Sequence, residues 1–598
     1  MAAGLDKIRA ELASFKYSDY LRHLKTLEES AEQRRPLRIA VLRSYTAELM
    51  DPVLKLRLGL EGFATQIHYG DFNRYVQEIL DPSSALYSFQ PDIVLLLVRL
   101  EDVMPDFVDE FGKRALSEWG EMVVDKASQF GELVRRARDR LKSSFVVQNF
   151  CLPTSPYWGI YDNQRPGGQA ELVADFNRRL VQELSGIGGA YVWDFNRLAQ
   201  KVGYEQMFDA KGWFVSKSPY RQSVYPNIID DLLRYLLSIL GKSRKCVVLD
   251  LDGTLWGGVV GEDGLEGIQL GHSYPGNCFR EFQKRLLALH DRGLILAINS
   301  KNNEADAFEA IDKHPDMILS REHFSAWRVN WDDKVRNLHA LATELSIGVD
   351  SMIMLDDSPV ECARIQQEIP ECAVMRVPDK PYLIPQVCDV LPGIENVRLT
   401  DEDRKKGQMY RAQIARKRHE SGFGDVDSFL ESLELEIDIE PASAFTVPRI
   451  AQLTQKTNQM NLTTRRYTEA EVTSLCDTST NVVFSVTARD RFGDNGIVGV
   501  FILRFEEADC SIDTFLLSCR VIGRSIEDAM LSFIADYARQ NGAERLLGEY
   551  LPTAKNAPAA DMYGRLGFQR LSDTVFVYDL AGTGLAGPSY VRVQAKTG

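Results

Sequence analysis

The sequence predicts an α/β protein in which parallel sheets are flanked by helices. In the first third of the chain, apolar runs at 37–42, 91–98 and 144–149 alternate with helical stretches, as strands joined by crossover helices do. Near the middle, the run Cys246–Leu249 is apolar throughout, which is typical of a strand buried on both faces of a parallel sheet. The chain has 598 residues, 44% of them hydrophobic, which implies about three or four domains, and we assign three.

The composition disfavours several classes of protein. A net charge of −15 argues against nucleic acid as the main partner. No stretch approaches 18 apolar residues and the N-terminus lacks an apolar core, so we expect no membrane anchor and no signal peptide. Nine cysteines without a C-x-x-C pair favour reduced thiols over a disulfide framework or a zinc site. We therefore expect a cytoplasmic protein.

Residues 37–240 are predicted to form the first folded domain, after an N-terminal helical segment, 1–36. Ser44 follows its first strand and resembles the nucleophile position of the SGNH hydrolase fold, a flavodoxin-like arrangement, while Asn149 ends a later strand. A serine nucleophile needs a base, and none of the eight histidines falls between 68 and 272. We expect a catalytically degenerate domain that serves as a scaffold or docking surface.

Two carboxylates, Asp250 and Asp252, follow the central apolar run. Residues two apart on a strand point the same way, so both can reach one Mg²⁺ ion. Asp250 can then attack phosphorus while Asp252 moves a proton, which is phosphoryl-transfer chemistry. By itself the pair is equally consistent with a plain metal site or a turn at the end of a strand.

Three later residues are each suited to a phosphate. Ser300 can donate a hydrogen bond to a phosphoryl oxygen, and Lys334 supplies a compact positive charge. Asp356 can complete a predicted metal set of Asp250, Asp252 and Asp356. Taken singly, these residues can also be a helix cap, a solvated charge and a strand-end turn. Their order along the chain favours a common site.

These motifs resemble those of the haloacid dehalogenase (HAD) superfamily, in which an Asp-x-Asp strand, a Ser or Thr, a Lys and an acidic pair follow in order. They map to Asp250/Asp252, Ser300, Lys334 and Asp356/Asp357. The resemblance implies an aspartyl-phosphate on Asp250, with Asp252 protonating the leaving oxygen and later activating water. Only 47 residues separate Asp252 from Ser300, and 33 separate Ser300 from Lys334, so we expect a capless HAD-like Rossmannoid core with an open site.

Longer stretches resemble more narrowly the FkbH-like branch of that superfamily (subfamily IIIC): 250–264, 300–303, 327–331, 355–361 and 453–466. The resemblance implies a glyceryl transferase/phosphatase that takes 1,3-bisphosphoglycerate. Such an enzyme loads the glyceryl unit as a thioester on the phosphopantetheine arm of an acyl carrier protein, in polyketide or nonribosomal peptide biosynthesis.

The glycine-rich segment 255–264 is interpreted as a flap whose Trp256 closes over a small ligand. A tight hairpin that requires positive φ is the alternative. Thr254, Asn302 and Asp357 complete the predicted substrate-binding set.

One position departs from the family pattern. Members that carry the glyceryl group on an enzyme cysteine often have Cys directly before the serine of the second motif, and this chain has Asn299 there. Cys519 is the best-placed remaining thiol, because Arg520 and Arg524 can lower its pKa. The alternatives are that Cys519 is a small buried residue, that the pantetheine thiol accepts the group directly, or that the substrate or the reaction differs.

The last third of the chain is predicted to contain a charged helical connector (396–432), a domain (433–582) and a tail (583–598). The domain's strands, the loop 520–525 at a helix start and the later Asn556 and Tyr563 resemble the α+β GNAT acetyltransferase fold. The resemblance implies a groove for the carrier's phosphopantetheine arm or for coenzyme A, with Tyr563 as proton donor to the thiol. The predicted contacts are Arg520, Gly523, Arg524, Asn556 and Tyr563. That Tyr563 is only a core aromatic is the alternative.

Together these expectations describe a three-domain enzyme whose Mg²⁺-dependent core, 241–395, loads a small phosphorylated acid onto a carrier protein. The alternatives are a stand-alone phosphatase of a small metabolite, a GNAT-type acyltransferase with an accessory HAD domain, and an assembly scaffold with a vestigial core.

Overall fold

The structure is a computed structural model. It describes single residues at 8, 12, 409, 412, 416 and 419 and the ranges 15–29, 34–398, 422–478, 480–553, 556–582 and 584–596. Parts of the predicted N-terminal segment and of the predicted connector lie outside these residues, as does the side chain of Cys519.

The chain forms two compact units. The first comprises residues 1–239 and 468–474, and the second comprises residues 240–467 and 475–598. The predicted division of the second unit into a core, a connector and a C-terminal domain stays a prediction.

The first unit contains one parallel sheet with strand order β2-β1-β3-β4-β5. The sheet changes its direction of growth between β1 and β3, a place where open α/β sheets form a crevice at their carboxyl edge. The strands are β1 (Arg35–Arg43), β2 (Phe63–Tyr69), β3 (Ile93–Leu97), β4 (Ser144–Gln148) and β5 (Ala190–Trp193).

Helices cover this sheet, and the longest, α7, packs through Trp119 and Phe130 against the core. The helices are α1 (Tyr17–Glu28), α2 (Asp51–Leu60), α3 (Tyr75–Leu80), α4 (Ala85–Phe89), α5 (Leu100–Val103), α6 (Pro105–Asp109), α7 (Leu116–Arg138), α8 (Gln169–Ser185), α9 (Phe195–Val202), α10 (Tyr204–Met207), α11 (Ala210–Ser216) and α12 (Tyr225–Ile239).

The second unit begins with another parallel sheet, of order β10-β9-β6-β7-β8. The central strand β6 is buried throughout, with Val247 and Leu249 in one core cluster and Cys246 and Val248 in another. The strand predicted from its apolar run is thus buried on both faces. The strands are β6 (Cys246–Leu249), β7 (Ile295–Ser300), β8 (Phe324–Val329), β9 (Met352–Asp356) and β10 (Ala373–Arg376).

Five helices flank this sheet: α13 (Val260–Gly267), α14 (Gly276–Asp291), α15 (Glu304–Lys313), α16 (Lys334–Leu345) and α17 (Pro359–Glu368). Residues 253–333 are all described, and they contain only core helices, core strands and short turns. The segments between the motifs therefore hold no separate cap, as their lengths predict.

A third, mixed sheet has the order β17-β18-β16-β15-β14-β13-β11-β19. Its strands are β11 (Leu435–Pro441), β12 (Met460–Asn461), β13 (Asn481–Asp490), β14 (Gly493–Glu506), β15 (Asp509–Leu517), β16 (Arg545–Glu549), β17 (Gln569–Arg570), β18 (Val575–Asp579) and β19 (Val591–Ala595). The accompanying helices are α18 (Val426–Ser432), α19 (Val447–Lys456), α21 (Ile526–Gln540) and α22 (Met562–Arg565). Most of α20 (Glu469–Cys476) belongs to the first unit.

The neighbouring strands β15 and β16 separate part of the way along this sheet. They pair in parallel only from Asp509 to Ile512 on β15. Beyond that point the short strand β12 pairs with β15, and Leu551 donates its main-chain N–H to the carbonyl of Leu462 at 2.8 Å. Residues 460–462 therefore fill the gap between the two strands.

The architecture confirms the predicted α/β fold class, with two parallel sheets and a mixed C-terminal sheet. Among the described residues, no helix has the length and apolar character needed to cross a bilayer.

Candidate active site

The predicted catalytic residues meet at one edge of the second unit's parallel sheet. Asp250 directly follows β6, Ser300 ends β7 and Asp356 ends β9, and these strands are hydrogen-bonded neighbours. Because parallel strands all point the same way, their carboxyl ends converge on this edge. Lys334 reaches the same place from the first position of α16.

A buried ion cluster joins three of these side chains. The Lys334 ammonium group lies 2.9 Å from Oδ2 of Asp250 and 2.6 Å from Oδ2 of Asp356. The other oxygens of the two carboxylates accept from main-chain N–H groups, of Leu251 for Asp250 and of Ser358 for Asp356. The Lys334 side chain is 3% exposed and that of Asp356 is 0% exposed, so water screens these charges weakly.

The pKa shifts show how strongly these charges act on one another. Burial and the Asp250 charge raise the pKa of Asp356, although Lys334 partly opposes them. Burial, followed by the charges of Asp250 and Asp356, raises the pKa of Asp357. Burial alone would lower the pKa of Lys334, but the two carboxylates outweigh it and the pKa is raised. The cluster therefore holds more negative charge than one ammonium group neutralises.

This donor set fits Mg²⁺. Oxygens of Asp250, Asp356 and Asp357 all lie within 4.8 Å of one another. Three carboxylates facing one lysine favour a divalent cation, and hard oxygen ligands are those that Mg²⁺ prefers. The predicted metal set included Asp252 in place of Asp357, so this assignment is corrected: Asp357, predicted as a substrate contact, belongs to the cluster of possible ligands.

Gly253 permits the close approach of Asp357. Its φ is +68°, and a Cβ at this position would lie 2.4 Å from Oδ2 of Asp357. A side chain here would thus strain the backbone and displace the carboxylate.

The Asp252 carboxylate is held by three donors and lies outside the acidic cluster. Oδ1 accepts from the indole Nε1 of Trp256 at 2.7 Å and from the main-chain N of Val260 at 3.0 Å. Oδ2 accepts from Nδ2 of Asn302 at 2.7 Å. These three donors fix the orientation of the carboxylate.

Two residues predicted to contact the substrate, Trp256 and Asn302, instead donate hydrogen bonds to Asp252. Trp256 is fully buried in the core and donates to Asp252, so it does not close over a ligand, and the flap prediction is wrong. The segment after it continues into α13 and is not a hairpin. Asn302 is 4% exposed and is engaged with Asp252. Thr254 is buried, and its hydroxyl has no hydrogen-bond partner among the described residues.

In the first unit, Ser44 is fully buried. Its Oγ donates to Oδ2 of Asp102 at 2.6 Å and accepts from the main-chain N of Arg99 at 3.0 Å. Asn149 donates to Asp194 and accepts from the main-chain N of Asn196. The Ser44 oxygen thus acts as both a donor and an acceptor, and the expected catalytic degeneracy of this domain stays a prediction.

The two arginines of loop 520–525 are buried and paired. Arg524 donates to Asp490 at 3.1 Å, and Arg416 of the predicted connector binds the same carboxylate at 3.0 Å. Arg520 donates to Ser518 and to the sulfur of Met409. Gly523 has a φ of +81° in the turn before α21. The thiol of Cys519 lies outside the described side chains, so its role stays a prediction.

The other predicted pantetheine contacts belong to the core. Asn556 is fully buried, and its Nδ2 donates to the carbonyls of Asn461 and Leu551. Tyr563 is 2% exposed and packs on Phe568 at a ring-centroid distance of 4.9 Å. Both side chains are thus buried, and the roles predicted for them at a pantetheine groove stay predictions.

The sequence reasoning missed two residues of the site region, Asn330 and Asn337. Both contact the loop and helix that carry Lys334. Their positions, four residues before and three residues after Lys334, were the available signal.

No family model matches the chain, and no curated protein matches it. Among solved structures it is similar to the N-terminal part of BF1531 from Bacteroides fragilis, which contains a phosphatase domain complexed with Mg. The identity is 25%, the match covers 64% of this chain and 100% of that chain, and the TM-score is 0.59.

Shorter stretches match GNAT proteins. The ribosomal-protein-S18-alanine N-acetyltransferase from Escherichia coli matches 25% of this chain and 96% of its own, with 15% identity and a TM-score of 0.21. The GNAT domain of S. lividans PAT matches 24% of this chain and 89% of its own, with 16% identity and a TM-score of 0.20.

Proposed function

We propose that the chain is a Mg²⁺-dependent enzyme that releases phosphate from a small phosphorylated acid. The observation that supports this most directly is the buried lysine of the active site, Lys334, between Asp250 and Asp356 at the carboxyl edge of a parallel sheet. The likeness to a phosphatase domain complexed with Mg agrees with it.

Each residue of the candidate site has its own role in the proposed reaction. Asp250 is the nucleophile, because one of its oxygens is fixed by a main-chain N–H while the other faces Lys334. Lys334 stabilises negative charge on the phosphoryl oxygens, and Asp252 accepts and returns a proton. Asp250, Asp356 and Asp357 would hold Mg²⁺, which supplies a Lewis acid for the phosphoryl oxygens.

The finer proposal is glyceryl transfer. The FkbH-like motifs favour 1,3-bisphosphoglycerate as the substrate and the phosphopantetheine thiol of an acyl carrier protein as the acceptor. Residues 253–333 contain no cap. Val259 and Trp331, in the loops after β6 and β8, are exposed, and so is Val360 at the start of α17, which suits a large partner at this edge.

An acyl phosphate can react at two atoms. Attack by Asp250 on phosphorus breaks the P–O bond, releases the free acid and forms an aspartyl-phosphate that water hydrolyses. Attack by a thiolate on the acyl carbon forms the C–S bond, breaks the C–O bond and releases phosphate, so that the acyl group is kept as a thioester. We propose the second route for loading, which converts 1,3-bisphosphoglycerate into a 3-phosphoglyceryl thioester. Attack by Asp250 on the phosphorus of the remaining monoester then breaks its P–O bond and leaves the glyceryl thioester. The first route, at the acyl phosphate, is the stand-alone phosphatase reaction.

Intact-mass spectrometry of a holo carrier protein tests this proposal. The enzyme is incubated with the carrier, Mg²⁺ and enzymatically generated 1,3-bisphosphoglycerate in H₂¹⁸O, and released phosphate is analysed in parallel. Loading predicts a 3-phosphoglyceryl mass on the carrier that is converted to a glyceryl mass. The phosphate released from the acyl carbon should lack solvent ¹⁸O, and the phosphate released from the monoester should contain it. Phosphate that contains ¹⁸O, with no loaded carrier, would favour the stand-alone phosphatase, and no release at all would contradict both.

The stand-alone phosphatase remains the second candidate because of one observation. Asn299, at the position where a carrier cysteine is expected, is fully buried and hydrogen-bonded within the core. The chain thus offers no thiol at this position, so loading would proceed by direct transfer to the pantetheine thiol or through another cysteine such as Cys519.

A further inference from the structure

Buried asparagines connect β7 to the start of α16, the helix that begins with Lys334. Nδ2 of Asn299 donates to the main-chain oxygen of Lys334 at 3.0 Å. Nδ2 of Asn337 donates to Oδ1 of Asn299 at 3.2 Å and to Oδ1 of Asn330 at 2.9 Å. Asn299 is 0% exposed and Asn337 is 3% exposed. The three amides form a continuous chain under the active-site edge.

The Asn299 amide links two elements because it both donates and accepts. Asn299 precedes Ser300 on β7, and Asn330 lies in the loop between β8 and α16, where its Oδ1 also accepts from the main-chain N of Asp332 at 3.0 Å. The network thus ties the helix start to the strand that carries Ser300. Buried amides without such partners would be costly, so the arrangement favours one position of the helix.

The ion pairs of Lys334 do not by themselves fix its position. The lysine side chain is a flexible four-carbon stem with a point charge at its end. It can keep one carboxylate contact while its Cα moves, but reaching both Asp250 and Asp356 requires a defined Cα position. The contact of Asn299 with the carbonyl of Lys334 itself acts directly on that position.

We propose that Asn299 and Asn337 are positioning residues that hold Lys334 between Asp250 and Asp356. The inference rests on the proposed function and deepens it, because it gives Asn299 a part in the reaction that requires no thiol. Neither asparagine touches the substrate, and both act through the placement of one ammonium group.

Three variants test the inference: Asn299→Leu, Asn337→Leu and, as the matched control, Leu338→Ala. The two Leu variants remove the amides at similar side-chain volume, whereas Leu338→Ala removes apolar packing from the same helix and leaves the amides intact. Phosphate release from p-nitrophenyl phosphate with Mg²⁺ supplies kcat and KM, and thermal melting supplies Tm.

We expect either Leu variant to lower kcat about 10²-fold, the effect of a displacement of about 1 Å in a catalytic group. KM should change by less than about threefold, since the interaction matters mainly in the transition state. Leu338→Ala should lower Tm yet change kcat by less than about threefold, because Lys334 stays in place. A kcat for both Leu variants in the range of Leu338→Ala would overturn the inference.

Crystal structures keep the test independent of activity. In Asn299→Leu, or in Asn337→Leu if the first variant does not fold, Lys334 Nζ should lose its contact with Asp250 or Asp356. Retention of both distances, 2.9 and 2.6 Å, would overturn the positioning role. A wild-type protein that releases no phosphate from any monoester or acyl phosphate would contradict the proposed function, and the crystal structures would still decide this inference.

Discussion

Nζ of Lys334 lies 2.6 Å from Oδ2 of Asp356, and both side chains are withdrawn from solvent. Because a buried charge without its partner is costly, the ammonium group is a structural element as well as a catalytic one. Its removal leaves three mutually repelling carboxylates.

The first prediction concerns this ion cluster. Lys334→Met should lower the free energy of unfolding by about 3–5 kcal/mol without Mg²⁺, as expected when one partner of a buried pair is removed. Added Mg²⁺ should restore part of the loss, since it replaces the missing positive charge. Urea unfolding with and without Mg²⁺ measures both effects. Equal stability of the variant and the wild type would show that the cluster is better solvated than the structure indicates.

The second prediction separates the two acidic residues that were candidates for the metal set. Asp357→Asn should weaken Mg²⁺ binding about tenfold or more, because one ligand of the cluster loses its charge. Asp252→Asn should change it by less than about threefold, since that carboxylate is engaged elsewhere. Isothermal titration calorimetry gives both values. The reverse ranking would restore the metal set predicted from the sequence.

The third prediction concerns the nucleophile. Asp250→Asn should reduce phosphate release about 10³-fold or more while the protein keeps its fold, because an amide oxygen is a poor nucleophile. Asp291→Asn, at the exposed end of α14, is the control and should retain full activity. Circular dichroism confirms folding. Undiminished release by Asp250→Asn would exclude the aspartyl-phosphate route.

The fourth prediction concerns Tyr563, whose buried hydroxyl has no hydrogen-bond partner among the described residues. Tyr563→Phe should raise the free energy of unfolding by about 1 kcal/mol, because an unsatisfied polar atom leaves the core. Carrier loading should be unchanged. Leu566→Ala, on the neighbouring turn, serves as a control for packing alone. Slower loading by Tyr563→Phe at equal or higher stability would support the proton-donor role.

The catalytic centre could be predicted from the sequence because its residues lie at strand ends. An apolar run that stops at Asp250 or Asp356 places the carboxylate at the carboxyl edge of a parallel sheet, whatever the details of packing. Lys334 followed from its order among the motifs. The location of the site could therefore be predicted from short apolar runs and from the order of the motifs along the chain.

The direction of individual side chains could not be predicted in the same way. Asp252 turns towards Trp256 because the chain bends at Gly253 and Gly258, which both have positive φ. The period-two rule that placed Asp252 beside Asp250 applies only to continuous strand, and β6 has already ended at Leu249. The burial of Asn302 depends on the same turn.

The burial of Asn556 could not be predicted for a related reason. β12 consists of two residues, Met460 and Asn461, too short for any periodic pattern in the sequence to reveal it. Its pairing with β15 is a long-range contact that local propensity does not encode. The burial of Asn556, which donates to Asn461, follows from that pairing.

The strand β12 also determines what a ligand must displace in order to enter the gap between β15 and β16. The segment that fills it is part of the same chain, and a tethered group of this kind has an effective concentration of order millimolar. A free thiol arm or cofactor entering the same gap must displace main-chain hydrogen bonds at Leu516 and Leu517 against that concentration.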